Sequence, residues 1–153
     1  MDLIVWRHAE AHDALPFGDD MARTLTPKGQ RQAERMAICS NQHLPEDAPI
    51  CASPARRTQQ TAQALGRKFK TSPEMAPGSS VGQLLDLAHW PQEKGCVLLV
   101  GHQPTLGQTI AQLLEMDAAQ CAVKKGALWW LRSRERAGHQ QTVLLTVQLP
   151  ELL

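Results

Sequence analysis

The chain switches repeatedly between short unbroken apolar runs and longer stretches with apolar residues at every third or fourth position. Leu3-Ile4-Val5-Trp6 is the first unbroken run, Ile50-Cys51-Ala52 a shorter second, and Cys96 to Val100 the strongest after the first. Runs of this length, rich in β-branched and aromatic residues, are what strands buried on both faces require. Between them the periodicity is helical. Thr26-Pro27 supplies an N-cap followed by proline at the first helical position, where its missing N–H costs nothing. This predicts a helix to about Asn41 with Gln30, Ala33, Met36 and Ala37 inward. Ser53-Pro54 repeats the device and predicts a helix through about Phe69.

A third strand is expected near Glu74–Ala76. Ser79 or Ser80 then caps a helix carrying Val81, Leu84, Leu85, Leu87 and Ala88. After Cys96–Val100 comes a helix with Leu106, Ile110, Leu113 and Leu114 inward. Gly126–Leu131 and Thr142–Leu149 read as two closing strands, joined by the polar segment Arg132–Gln141. Strands and helices that alternate in this way specify an α/β fold. The expected architecture is a three-layer sandwich, with a mostly parallel central sheet of about six strands flanked by helices. With no linker, repeat or low-complexity tract, residues 1–153 read as one domain.

Composition narrows this picture. Apolar residues make up 42% and charged residues 20%, as in an ordinary globular core, and the net charge of +1 argues against nucleic-acid or membrane binding through bulk charge. No apolar stretch approaches a membrane span, and the N-terminus lacks the pattern of a signal peptide. The cysteines, Cys39, Cys51, Cys96 and Cys121, form no CxxC element. Cys51 and Cys96 fall in predicted buried strands and read as reduced structural thiols, which suits the cytoplasm.

The candidate chemistry sits where strands end. The first run stops at Arg7-His8, the second is followed by Ser53 and Arg57, and the third by Gly101-His102-Gln103-Pro104. In a parallel sheet these ends share one edge, which is where open α/β sheets bind ligands. Arginine forks match phosphoryl oxygens bidentately, and the helix starts near Pro54 and Pro104 favour an anion. Arg7, His8, Arg57 and His102 therefore fit one phosphate pocket.

The segments LIVWRHAEA, R-T-L-T-P-K-G (Arg23 to Gly29), S-P-A-R-R-T-Q-Q-T-A and V-G-H-Q-P resemble the histidine phosphatase superfamily, in that family's order across residues 1 to about 110. The short length and the RHAEA form resemble its SixA-type phosphohistidine phosphatases. The resemblance implies that His8 is the nucleophile, with Arg7, Arg57 and His102 as phosphate ligands. It also implies a partner protein that bears phosphohistidine, such as a phosphotransfer domain, and no cofactor or metal. A cytoplasmic monomer is expected. Ala9 stands where the family usually has glycine, and Ala14 where larger members carry asparagine. Motif spacing selects Arg57 and leaves Arg56 as a surface arginine. Larger relatives also place a carboxylic acid near the pocket, and Glu10, Asp13, Asp19, Asp20 and Asp86 are the candidates here.

Other histidines have simpler readings. His12 follows His8 by four residues, but the segment leaves a strand and has no third ligand nearby, so a metal is not expected. His43, His89 and His139 read as exposed. Trp129 and Trp130 should alternate, one core and one surface. Lys124 and Lys125 read as solvated or as steering a phosphorylated partner. A small-molecule phosphomonoesterase of the same fold and a non-catalytic phosphate-binding module are the alternatives. A nucleotide-binding domain is disfavoured, since no P-loop or GxGxxG follows a strand.

Overall fold

The computed structural model describes residues 1–153, the side chain of Gln120 excepted. Strand β1 (Asp2–Arg7) runs through the middle of the sheet, and all but its last residue are buried. It pairs in parallel with β4 (Cys96–Gly101) and antiparallel with β5 (Leu128–Arg136). Beyond β4 lie β2 (Ile50–Ala52) and the two-residue β3 (Lys70–Thr71), both parallel to it. Beyond β5 lies the antiparallel β6 (His139–Gln148), which gives the order β3-β2-β4-β1-β5-β6.

Helices close both faces. Ala33, Met36 and Ala37 of α1 (Pro27–Asn41) and Ala62 of α2 (Arg56–Gln63) pack on Ile4, Trp6, Leu98 and Val100. Leu84 of α3 (Val81–Leu87) and Leu106 and Ile110 of α4 (Thr105–Leu113) pack on Leu3, Val5 and Leu99. Neighbouring residues of β1 and β4 thus serve opposite cores, which is why both strands read as unbroken apolar runs. This is the expected three-layer α/β sandwich. Thr26 caps α1 by accepting from the Gly29 N–H at 3.0 Å. Gly29, rather than Gln30, faces inward, and a Cβ there would collide with the Glu10 carbonyl. Ser80 caps α3 in a capping box with Gln83.

Several boundaries differ from the sequence expectation. Ser53-Pro54 does not cap α2. The helix starts at Arg56, because the Ser53 carbonyl is taken by the side chains of Thr58 (3.0 Å) and Gln59 (2.6 Å). It ends at Gln63 instead of Phe69, followed by Gly66 in the left-handed region at φ 67°. The third strand is Lys70–Thr71, not Glu74–Ala76. Pro73 cannot donate to a ladder, and Pro73–Met75 forms a 3-10 turn. The closing strands absorb the polar segment as well, meeting at Ala137-Gly138, both at positive φ. Trp129 and Trp130 are both half-buried, one against each core, and Cys96 is half-buried rather than buried.

The connections locate the crevice. From β1 the chain crosses through α1 on one face toward β2; from β4 it crosses through α4 on the other face toward β5. Between adjacent strands that diverge to opposite faces, a gap opens at their C-terminal ends. His8 follows one strand and His102 the other.

Candidate active site

The structure brings Arg7, His8, Arg57 and His102 together at that gap. The His8 and His102 rings lie 5.3 Å apart between centroids, tilted by 54°. Each histidine is 5% exposed. The backbone at these strand ends is fixed: the His8 N–H donates to the Gly101 carbonyl at 3.1 Å and the Gly126 N–H to the His8 carbonyl at 2.9 Å.

Hydrogen-bond directions define the imidazoles. His8 Nδ1 lies 2.7 Å from the Ala9 carbonyl, which can only accept. Nδ1 therefore carries the proton and Nε2 keeps a free lone pair. Burial first, then the charges of Arg57, Arg7 and Arg23, push the His8 pKa down to about 4, against the opposing bond to Ala9. Arg57 Nη2 stands 3.4 Å from His102 Nδ1, so Nδ1 is the acceptor there. His102 Nε2 then donates to Ser53 Oγ at 2.7 Å. Burial, with the neighbouring His8 and Arg57, pushes His102 down to about 3. Both rings are neutral at physiological pH.

The arginines are held by their far ends. Arg7 Nη1 donates to the Val123 carbonyl at 2.7 Å, and Arg57 Nη1 to the Asp20 carbonyl at 2.8 Å. The Nε of Arg7 and the Nε of Arg57 are buried and have no partner among the described residues. Burial, then repulsion by Arg57, lowers the Arg7 pKa. Arg57 Nη2 at 3.4 Å from the His102 ring, with the charge of Arg7 also felt at His8, sets two guanidinium groups around two neutral imidazoles, a setting that suits a tetrahedral oxyanion.

Sequence reasoning left Arg23 and Thr61 without a role and offered Asp20 only as one of five candidate acids. Asp20 Oδ2 accepts from Arg57 Nη2 at 3.1 Å, and Asp20 Oδ1 from Arg23 Nη1 at 3.1 Å. The hydrogen bond from Arg23, together with Arg57, holds the Asp20 carboxyl below the usual carboxylate range. Arg23 stood in the R-T-L-T-P-K-G segment, but nothing local tied it to His8. Ser53 read as a helix cap and instead orients His102. Thr61 accepts from the Ala9 N–H at 3.1 Å and donates to the Arg57 carbonyl at 2.7 Å, fastening α2 to the loop after β1. Arg56 is exposed, as are His12, His43, His89 and His139. Glu10 faces α1, where Thr26 Oγ1 donates to it at 2.9 Å.

Comparison with known proteins agrees with this geometry. The family model of the histidine phosphatase superfamily (branch 1) matches residues 3–78. An uncharacterized protein from Picosynechococcus sp. is 34% identical over 117 residues, covering 71% of this chain and 70% of that protein. A crystal structure from Agrobacterium tumefaciens, assigned as the phosphohistidine phosphatase SixA, superposes with a TM-score of 0.81 at 27% identity over 97% of both chains. A phosphoserine phosphatase from Entamoeba histolytica has the same fold, with a TM-score of 0.72 at 19% identity over 99% of this chain and 98% of that one. The chain belongs to the histidine phosphatase superfamily and is a phosphatase.

Proposed function

We propose that the protein dephosphorylates a phosphorylated histidine on a partner protein through a covalent intermediate at His8. The observation that carries the chemistry is the free Nε2 of His8 among His102, Arg57 and Arg7. The guanidinium groups take up the phosphoryl oxygens, and Nε2 attacks phosphorus. The substrate ring carries a proton from solvent on its unphosphorylated nitrogen, and as the P–N bond breaks its electron pair stays on the other nitrogen, so neutral imidazole leaves. Water then attacks the phospho-His8, releasing phosphate and the neutral imidazole. The arginines stabilise the equatorial oxygens in both steps. Ser53 Oγ holds His102 through Nε2, and His102 Nδ1 accepts from Arg57 Nη2, so His102 positions that guanidinium for the phosphoryl group.

The preference for phosphohistidine follows from Asp20. It is the carboxylate that the fold brings to the clamp, and two arginines keep it ionised. An ionised carboxylate cannot protonate an alkoxide leaving group, a contribution worth about 10²–10⁴-fold where present. Imidazole leaves without that help, because its conjugate acid has a pKa near 6.5. The resemblance in fold to the Agrobacterium SixA structure supports the same class.

The test combines rapid-quench trapping with a substrate comparison. Label from a phosphohistidine protein should be trapped on His8, and His8→Ala should abolish turnover while the fold persists. The kcat/KM for the phosphohistidine protein should exceed that for an alkyl phosphate by orders of magnitude, with an aryl ester between them. Label on another residue overturns the mechanism. An alkyl ester that matches the phosphohistidine protein makes the small-molecule phosphatase the correct reading.

A further inference from the structure

Ala14-Leu15-Pro16-Phe17, in the loop between β1 and α1, is a run of apolar residues that are all exposed. Leu15 is 76% exposed and Phe17 104%. Isolated exposed apolar side chains are ordinary on soluble proteins, but a contiguous run fixed in place is not. The Gly18 N–H closes a turn on the Leu15 carbonyl at 2.9 Å, and Asp19 accepts from the Met21 N–H at 2.9 Å. Arg23 Nε donates across the loop to the His12 carbonyl at 2.7 Å. Asp20 then joins the loop to Arg57 through both its carbonyl and its carboxylate.

This connection puts the apolar run at the rim of the site. Phe17 is three residues from Asp20, so the two Cα atoms are at most about 11 Å apart. A molecule that offers its phosphoryl group to Arg57 must approach beside the loop. On the segment that anchors Arg7 through the Val123 carbonyl, Lys124 follows, paired with Glu151 at 3.1 Å, and then the exposed Lys125. The phosphoryl donor therefore meets apolar side chains on one anchored segment and the Lys125 cation on the other.

We propose that Leu15 and Phe17 form a docking wedge for the protein that delivers the phosphohistidine. The partner it fits has apolar side chains beside its phosphorylated histidine and acidic ones further out. This rests on the phosphohistidine reading of the same site. A loop already held by its own hydrogen bonds loses little freedom on docking, so burying the wedge contributes to affinity with little ordering cost.

The experiment compares wild type with the Leu15→Ser/Phe17→Ser variant on three substrates: histidine-phosphorylated phosphotransfer domains, free phosphohistidine and p-nitrophenyl phosphate. The KM for the phosphorylated domains should rise about tenfold or more, as when interface anchors are truncated. Their kcat, and kcat/KM for both small substrates, should be unchanged, which also controls for folding. No change with the phosphorylated domains overturns the wedge. So does an equal loss on all three substrates, which would make the loop part of the reacting site. If wild type hydrolyses the small esters but none of the phosphorylated domains, the functional reading fails before any variant is made, and the wedge fails with it.

Discussion

At the start of β1 the Asp2 carboxylate accepts from Arg132 Nε at 2.7 Å, Arg132 Nη2 at 2.8 Å and Trp130 Nε1 at 2.9 Å. At the end of the same strand Arg7 and Arg57 are held through Nη1 while each Nε is buried without a partner. Both ends withdraw charge from water, which carries a cost unless hydrogen bonds replace hydration. At the first end the replacement is complete, and the ion pair ties β1 to β5. At the second it is incomplete among the described residues, and under the proposed function a phosphoryl group supplies the countercharge. Buried charge alone does not mark a site; charge left uncompensated around a neutral imidazole is the difference.

That contrast breaks most visibly at Arg57. Arg57→Ala should lower kcat/KM by about 10²–10³-fold, roughly 2.7–4 kcal/mol of transition-state stabilisation. Because the variant removes a buried guanidinium with an unpaired Nε, its melting temperature should stay level or rise. A large loss of stability would mean that Arg57 is chiefly structural.

The imidazoles sharpen the contrast through pH. His8 and His102 should titrate near pH 4 and pH 3 by NMR, against about 6.5 in the unfolded chain. Since the unfolded state binds protons first, stability should be full above about pH 6.5, fall as pH drops below it, and level off once pH passes 4 and then 3, where the folded histidines also protonate. Titration of His8 near 6.5 would contradict a desolvated site.

The smallest effect belongs to the satisfied end. Arg132 is half exposed, so its pair with Asp2 is weakened by solvent screening. Asp2→Ala should cost on the order of 1 kcal/mol, about 2–4 °C in melting temperature, and leave kcat/KM within about twofold. A much larger fall in activity would couple the two ends of the strand.

Much of the site was legible because its groups stand at ends of apolar runs that could only be buried strands. Arg7, His8 and His102 needed no further information. Arg57 needed the motif spacing, and the structure separates it from Arg56 by one helical step, the first buried and the second exposed. Asp20 stood only as one of five candidate acids, and Arg23 and Thr61 were not legible as parts of the site. Their partners lie 37, 11 and 52 residues away, in the bonds to Arg57, the His12 carbonyl and the Ala9 N–H.

Periodicity and capping chemistry are local properties, so the sequence alone determined the α/β class, the two strong inner strands, the Thr26 cap of α1 and the edge on which the polar residues gather. Boundaries that depend on a distant partner were decided only by tertiary structure. The start of α2 moved because Thr58 and Gln59 claimed the Ser53 carbonyl, and β3 settled where Cys51 and Ala52 could pair with it. The protonation states were decided in the same way. A histidine in the chain is an ordinary base with a pKa near 6.5; burial and three nearby arginines made His8 neutral, and the carbonyl of Ala9 fixed which nitrogen is free.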